Sequence, residues 1–103
     1  MIRHIVCWKF LERAAGAERR ENLLKAREML LALPGVIPEI RALEVGIDVV
    51  RSEHSWDMAL VGTFASRADL VAYQQHPAHQ AVLPFLRAVW SERNSVDYEV
   101  PAP

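Results

Sequence analysis

Two histidines and a tyrosine are the side chains in this sequence best suited to chemistry: His4 near the start, and Tyr73 with His79 in the second half. A neutral imidazole, with an ordinary pKa of about 6.5, can remove or return a proton at physiological pH. A tyrosine hydroxyl can hold the oxygen of a developing enolate. Together they suit proton abstraction beside a carbonyl. The same residues also have plainer uses: His4 as a buried histidine bonded to Tyr73 or to backbone, Tyr73 as core, and His79 as a support for its helix.

The remaining candidates carry less. His76 and His79 lie three apart and could offer two ligands to a metal, but no third ligand of matching geometry is evident. His76 directly precedes Pro77 and reads better as a helix cap, so no metal is expected. Cys7, the only cysteine, falls mid-strand between apolar neighbours and behaves as a small hydrophobe. Trp8, Trp56 and Trp90 suit core or interface positions more than ligand stacking, and His54 sits in a polar turn. No phosphate-cradling glycine loop, Ser-His-Asp set or paired-acid signature is present, and no cofactor is implied.

The elements that must position these residues follow from periodicity. From Ile2 to Phe10, residues Ile2, His4, Val6, Trp8 and Phe10 alternate with Arg3, Ile5, Cys7 and Lys9, which predicts a strand with apolar groups on both faces. Ala14-Ala15-Gly16 breaks it. From about Glu18 a helix follows, with Leu23, Ala26, Leu30 and Leu33 in one stripe that Leu24 and Leu31 widen, until Pro34-Gly35 stops it. A second strand is expected from about Ile40 to Val49 and a third from about Trp56 to Phe64, with a polar turn between them. In the third strand, Asp57 falls on the face with Ala59, Val61 and Thr63.

Ser66 with Asp69 opens a short helix through Tyr73. His76-Pro77 ends that helix and starts another, which should run to about Trp90 with Pro84 a possible point of distortion. A fourth strand is expected over Ser95–Val100, and 101–103 should be a frayed end.

Length and composition set the bounds. The 103 residues, 51% apolar and 24% charged, suit one domain, here residues 1–100. The 12 basic and 13 acidic residues give a net charge of −1 without a concentrated positive field, so nucleic acid is not an expected partner. A single cysteine allows no internal disulfide. The opening residues lack a leader pattern and no stretch approaches a membrane span, so a cytoplasmic protein without membrane contact is expected.

The order β-α-β-β-α-β, with the second helix in two parts, predicts an α+β, ferredoxin-like fold with an antiparallel four-stranded sheet. Two helices can cover only one face of such a sheet. Apolar residues on both faces of the first and third strands leave an oily face, to which Val6, Trp8, Leu60 and Tyr98 are assigned. Each apolar side chain left in water forfeits roughly 1.5 to 3 kcal/mol, against a domain stability of roughly 5 to 15 kcal/mol. A second copy of the chain is the simplest cover, giving a homodimer.

Several segments together resemble a known family: Ile2-Arg3-His4-Ile5-Val6-Cys7-Trp8-Lys9-Phe10, Leu33-Pro34-Gly35-Val36, Asp57-Met58-Ala59-Leu60 leading to Phe64, and Leu70-Val71-Ala72-Tyr73 followed by His76-Pro77-Ala78-His79. This set is similar to the stress-responsive A/B barrel domain, or Dabb, family over nearly the whole chain. The resemblance implies a dimeric α/β barrel with a pocket in each subunit. Most members have no assigned reaction; some plant members respond to stress, and some close linear polyketides by an aldol-type condensation. In the cyclising members a first-strand His, a Tyr in the second helical region and the last His of the His-Pro-x-His run line the pocket, matching His4, Tyr73 and His79 here. Met58 stands where such cyclases carry another pocket His, and a first-helix Tyr is replaced near Ala26, which counts against polyketide cyclisation.

Two functions fit these readings. One is binding of a small apolar or carbonyl metabolite in the barrel pocket, with Val6, Trp8, Met58 and Leu60 contacting it. The other is a cofactor-independent cyclase, lyase or isomerase in which His4, Tyr73 and His79 act on a carbonyl compound. They differ in whether those three side chains converge on an open cavity or fill a core.

Overall fold

The computed structural model describes residues 1–102, so the frayed end expected over 101–103 lies partly outside the described residues, at residue 103. In chain order the elements are β1 (Ile2–Phe10), β2 (Arg13–Ala14), β3 (Ala17–Glu18), α1 (Arg19–Leu31), a single 3-10 turn (Leu33–Gly35), β4 (Ala42–Ile47), β5 (Met58–Phe64), α2 (Arg67–Gln75), α3 (Pro77–Val89) and β6 (Trp90–Glu99). Strands β4, β5, β1 and β6 form one sheet in that spatial order, with every neighbouring pair antiparallel. This is the ferredoxin-like arrangement. The small β2–β3 hairpin stands apart, turning through Ala15 (φ 51°) and Gly16 (φ 74°). Both turn residues have positive φ, as a tight hairpin requires.

The two faces of the sheet are unequal. Along β1 the residues Ile2, His4, Val6, Trp8 and Phe10 are all buried, while those between them are half-buried. Opposite them, Met58, Leu60, Gly62 and Phe64 of β5 pair with Trp8, Val6, His4 and Ile2, and all of these lie beneath the helices. Val6, Trp8 and Leu60 therefore belong to the covered face, and their assignment to the open face is corrected. Alternation alone separates two sets of residues without saying which set the helices take.

On the uncovered face the register aligns Glu44, Val61, Ile5 and Val96 in one row and Thr63, Arg3 and Tyr98 in the next. Val96 and Tyr98 are exposed, with Ile5 and Val61 half-buried beside them. The open face is thus an apolar strip with a polar margin, narrower than the sequence suggested.

α1 buries Leu23, Ala26 and Leu30 against the sheet, and Leu33 continues the stripe. Leu24 and Leu31 do not widen it; both are exposed. Asn22, also buried, donates to the Ala14 carbonyl at 2.9 Å and ties the small hairpin to the helix. α3 runs unbroken through Pro84, burying Val82, Leu86 and Val89.

β5 starts at Met58 because Asp57 turns inward. Its buried carboxylate accepts the Phe10 N–H at 2.7 Å and an Arg51 guanidinium N–H at 2.7 Å, so it is not on the open face. This pins the polar β4–β5 loop to the end of β1. Among the described residues, no helix is long and apolar enough to cross a membrane.

Candidate functional site

The break between α2 and α3 builds the centre of the site. Ser66 caps α2 by accepting the Asp69 N–H at 3.1 Å. Eleven residues after Ser66, Pro77 pushes His76 out of helical geometry (ψ 136°), as expected for a residue preceding proline. His76 then caps α3, its Nδ1 accepting the Ala78 N–H at 3.0 Å. With the chain folded back at this point, Tyr73 in the last turn of α2 meets His79 in the first turn of α3, with ring centroids 4.6 Å apart.

His79 has a defined tautomer. Its Nδ1 lies 3.1 Å from the Gln74 carbonyl oxygen; that oxygen can only accept, so Nδ1 carries the proton and Nε2 keeps its lone pair. Burial lowers the His79 pKa; the Gln74 bond opposes this, and the charges of His4 and Arg93 add to the lowering. The ring is therefore neutral at physiological pH.

His4 comes from the middle of β1, where its ring centroid is 6.3 Å from that of Tyr73. Across the sheet, β6 places Asp97 directly opposite, and its Oδ1 accepts a hydrogen bond from His4 Nδ1. A carboxylate also only accepts, so His4 likewise presents an unprotonated Nε2 when neutral. Gly62 faces His4 from the other neighbouring strand, and the ring of Phe64 occupies the space a side chain there would need: an added Cβ would sit 3.0 Å from Phe64 Cε2.

The Tyr73 hydroxyl makes no hydrogen bond among the described residues. Burial raises its pKa to about 12, the nearby Arg93 charge acting the other way, so it remains a proton donor. Trp8 Nε1 is the one fully buried side-chain polar atom without a partner among the described residues. The Tyr73 hydroxyl and the two free imidazole nitrogens are not sealed in this way.

These groups border a half-open cavity of about 440 Å³ between the sheet and α3. Val6, Trp8 and Leu60 form its floor, and Leu83 and Leu86 its helical wall. His4, Tyr73 and His79 all line it. Met58 does not: it is buried at the start of β5, between Trp8 and Ile47. Asp97, Gln74 and Arg93 escaped the reading of the sequence. Asp97 had a signal, its place in the alternation of the last strand, but meeting His4 depends on a register across the chain that periodicity does not set.

Fold and site together define a ferredoxin-like domain with a half-open cavity edged by histidine and tyrosine. The family model for the stress responsive A/B barrel domain, Dabb, matches residues 2–100, and the chain belongs to this family. It is 32% identical over 92 residues to an uncharacterized protein of Streptomyces coelicolor, covering 89% of each chain. Among solved structures, a dimeric protein of unknown function with a ferredoxin-like fold from Bacteroides fragilis matches with a TM-score of 0.83 and 31% identity, over 96% of this chain and 95% of that one. A hydroxynitrile lyase from Passiflora edulis matches with a TM-score of 0.78 over 99% of this chain and 94% of its own, at 18% identity, a likeness of fold alone.

Proposed function

We propose that the protein binds a small apolar carbonyl compound in the cavity between the sheet and α3 and moves a proton at the carbon beside the carbonyl, without a cofactor. One observation carries this reading. The Nδ1 of each histidine on the cavity faces an acceptor-only partner, and neither Nε2 nor the adjacent tyrosine hydroxyl has a hydrogen-bond partner among the described residues. A purely structural network would satisfy these atoms with one another.

The chemistry follows from those atoms. His79 Nε2 takes the proton from carbon, the electron pair moves onto the carbonyl oxygen, and Tyr73 donates a hydrogen bond to the resulting enolate. His4, oriented by Asp97, can accept or return a proton at a second position. Reprotonation elsewhere gives an isomer, expulsion of a neighbouring group gives a lyase product, and attack on a second carbonyl closes a ring. The cavity volume lies within the usual range of about 300–1,000 Å³ for small-molecule sites. The lyase from Passiflora edulis adds only fold-level analogy.

The working unit we propose is a homodimer in which a second copy covers Ile5, Val61, Val96 and Tyr98. The dimeric relative from Bacteroides fragilis supports this.

The test is hydrogen exchange at carbon. A panel of aryl and alkyl ketones and aldehydes is incubated in heavy water, and loss of the signal beside the carbonyl is followed by proton NMR. Wild-type protein should accelerate exchange for the compounds that bind, and His79→Gln or Tyr73→Phe should slow it by about 100-fold or more. Compounds that occupy the cavity without any accelerated exchange would support binding without transformation instead.

A further inference from the structure

The cavity has a charge bias that the proposed proton transfer does not use. Arg87 on α3 and Arg93 on β6 line it, and no aspartate or glutamate does. Neither arginine takes part in an ion pair among the described residues. The chain as a whole is slightly acidic, at −1, so an acid-free wall with two arginines is not what its composition would supply on average.

The placement is specific as well. β6 pairs Arg93 with Trp8, on the cavity side of the sheet, and its charge acts on both Tyr73 and His79. Arg87 follows Leu83 and Leu86 along the helical wall, one turn and one residue on. A guanidinium is a planar fork of donors that matches a carboxylate in two parallel hydrogen bonds. A phosphate would more commonly be met by a glycine-rich loop and backbone N–H groups, and the cavity is lined by neither.

Resting on the reading of the cavity given above, we propose that its ligand is an anion: a carbonyl compound whose carboxylate is held by Arg93 with Arg87, its apolar body lying between Leu83 and the sheet. The arginines fix one end, which places the carbonyl of a suitably long substrate against Tyr73 and His79.

A matched pair of probes tests this, benzoylpropionate and benzoylpropionamide, which differ in the charge of one end. Binding is measured by calorimetry at low and high salt, and contact with the cavity by the ring signals of His79. The acid should bind wild-type protein about tenfold or more tighter than the amide. That preference should fall toward unity in an Arg87→Gln, Arg93→Gln double variant and weaken with salt, while Arg93→Lys keeps part of it. Both arginines are exposed, so the variants should retain the wild-type thermal midpoint within about 2 °C. Equal affinity for acid and amide, with His79 responding to both, would overturn the anion proposal and leave the cavity reading standing. Failure of both probes to move His79 would sink the two together.

Discussion

Replacing Tyr73 by phenylalanine removes one oxygen and keeps the ring. That ring packs on Phe64 at 5.0 Å and on His79 at 4.6 Å between centroids, contacts that phenylalanine retains. The hydroxyl has no hydrogen-bond partner among the described residues, so its loss forfeits no hydrogen bond there and removes a poorly solvated polar group. A tyrosine held for structural reasons would cost about 1 kcal/mol on losing its hydroxyl bond; here the variant should stay within about 0.5 kcal/mol of wild type or exceed it. Tyr73→Ala, which opens the core, should cost about 3–5 kcal/mol.

The pH dependence sharpens the same prediction. Burial raises the Tyr73 pKa from 10.0 to about 12, so the fold disfavours the ionised form. Stability is intact below pH 10, where the unfolded tyrosine is still protonated, and falls as pH rises toward 12, by about 2–3 kcal/mol in all. Tyr73→Phe lacks this contribution, so the two stability curves should separate above about pH 10. Urea unfolding of both proteins across this range reads it directly. A loss above about 1 kcal/mol at neutral pH would refute the unpaired hydroxyl, and parallel declines in alkali would refute its burial.

Three further outcomes are expected. Asp97→Ala removes the acceptor for His4 Nδ1; with Asp97 part-exposed the cost should be about 1–2 kcal/mol, and nitrogen NMR should show the Nε2-protonated tautomer of His4 appearing, an unchanged tautomer counting against the pair. The lowered pKa of His79 means the fold prefers its neutral form, so wild-type stability should decline relative to His79→Gln as pH falls below about 6.5, measured by thermal unfolding at several pH values; equal declines would contradict the assignment. Val61→Glu, in the centre of the open face, should convert a dimer to monomers in sedimentation velocity at micromolar concentration, and a wild-type chain already monomeric and folded would exclude that face as the interface.

Much of the architecture was legible because local rules govern it. The alternation of β1, the Ser66 cap and the His76-Pro77 break each depend on a few neighbouring residues, and the last of these is what presses Tyr73 against His79. What the sequence left open depended on tertiary choices. Val6, Trp8 and Leu60 alternate with Ile5, Cys7 and Val61, which are apolar too, and only the packing of α1 and α3 shows which set is covered. Residues 91–94 of β6 show no clear alternation because an edge strand is exposed on both sides, which hid Arg93. Leu24 and Leu31 fall just beyond the buried stripe of a helix whose contact with the sheet is narrow.

The chain's four histidines provide a direct test that His4, Tyr73 and His79 share one open cavity. His4 and His79 border it; His54 is exposed in the β4–β5 loop, and His76 caps α3 with its Nδ1 engaged. Titration with an apolar ketone such as acetophenone, followed by ring-proton NMR, should move the His4 and His79 signals together along one saturable curve and leave His54 unmoved. If all four histidines stay fixed up to the solubility limit, or if His54 shifts in step with the others, the cavity is not the binding site.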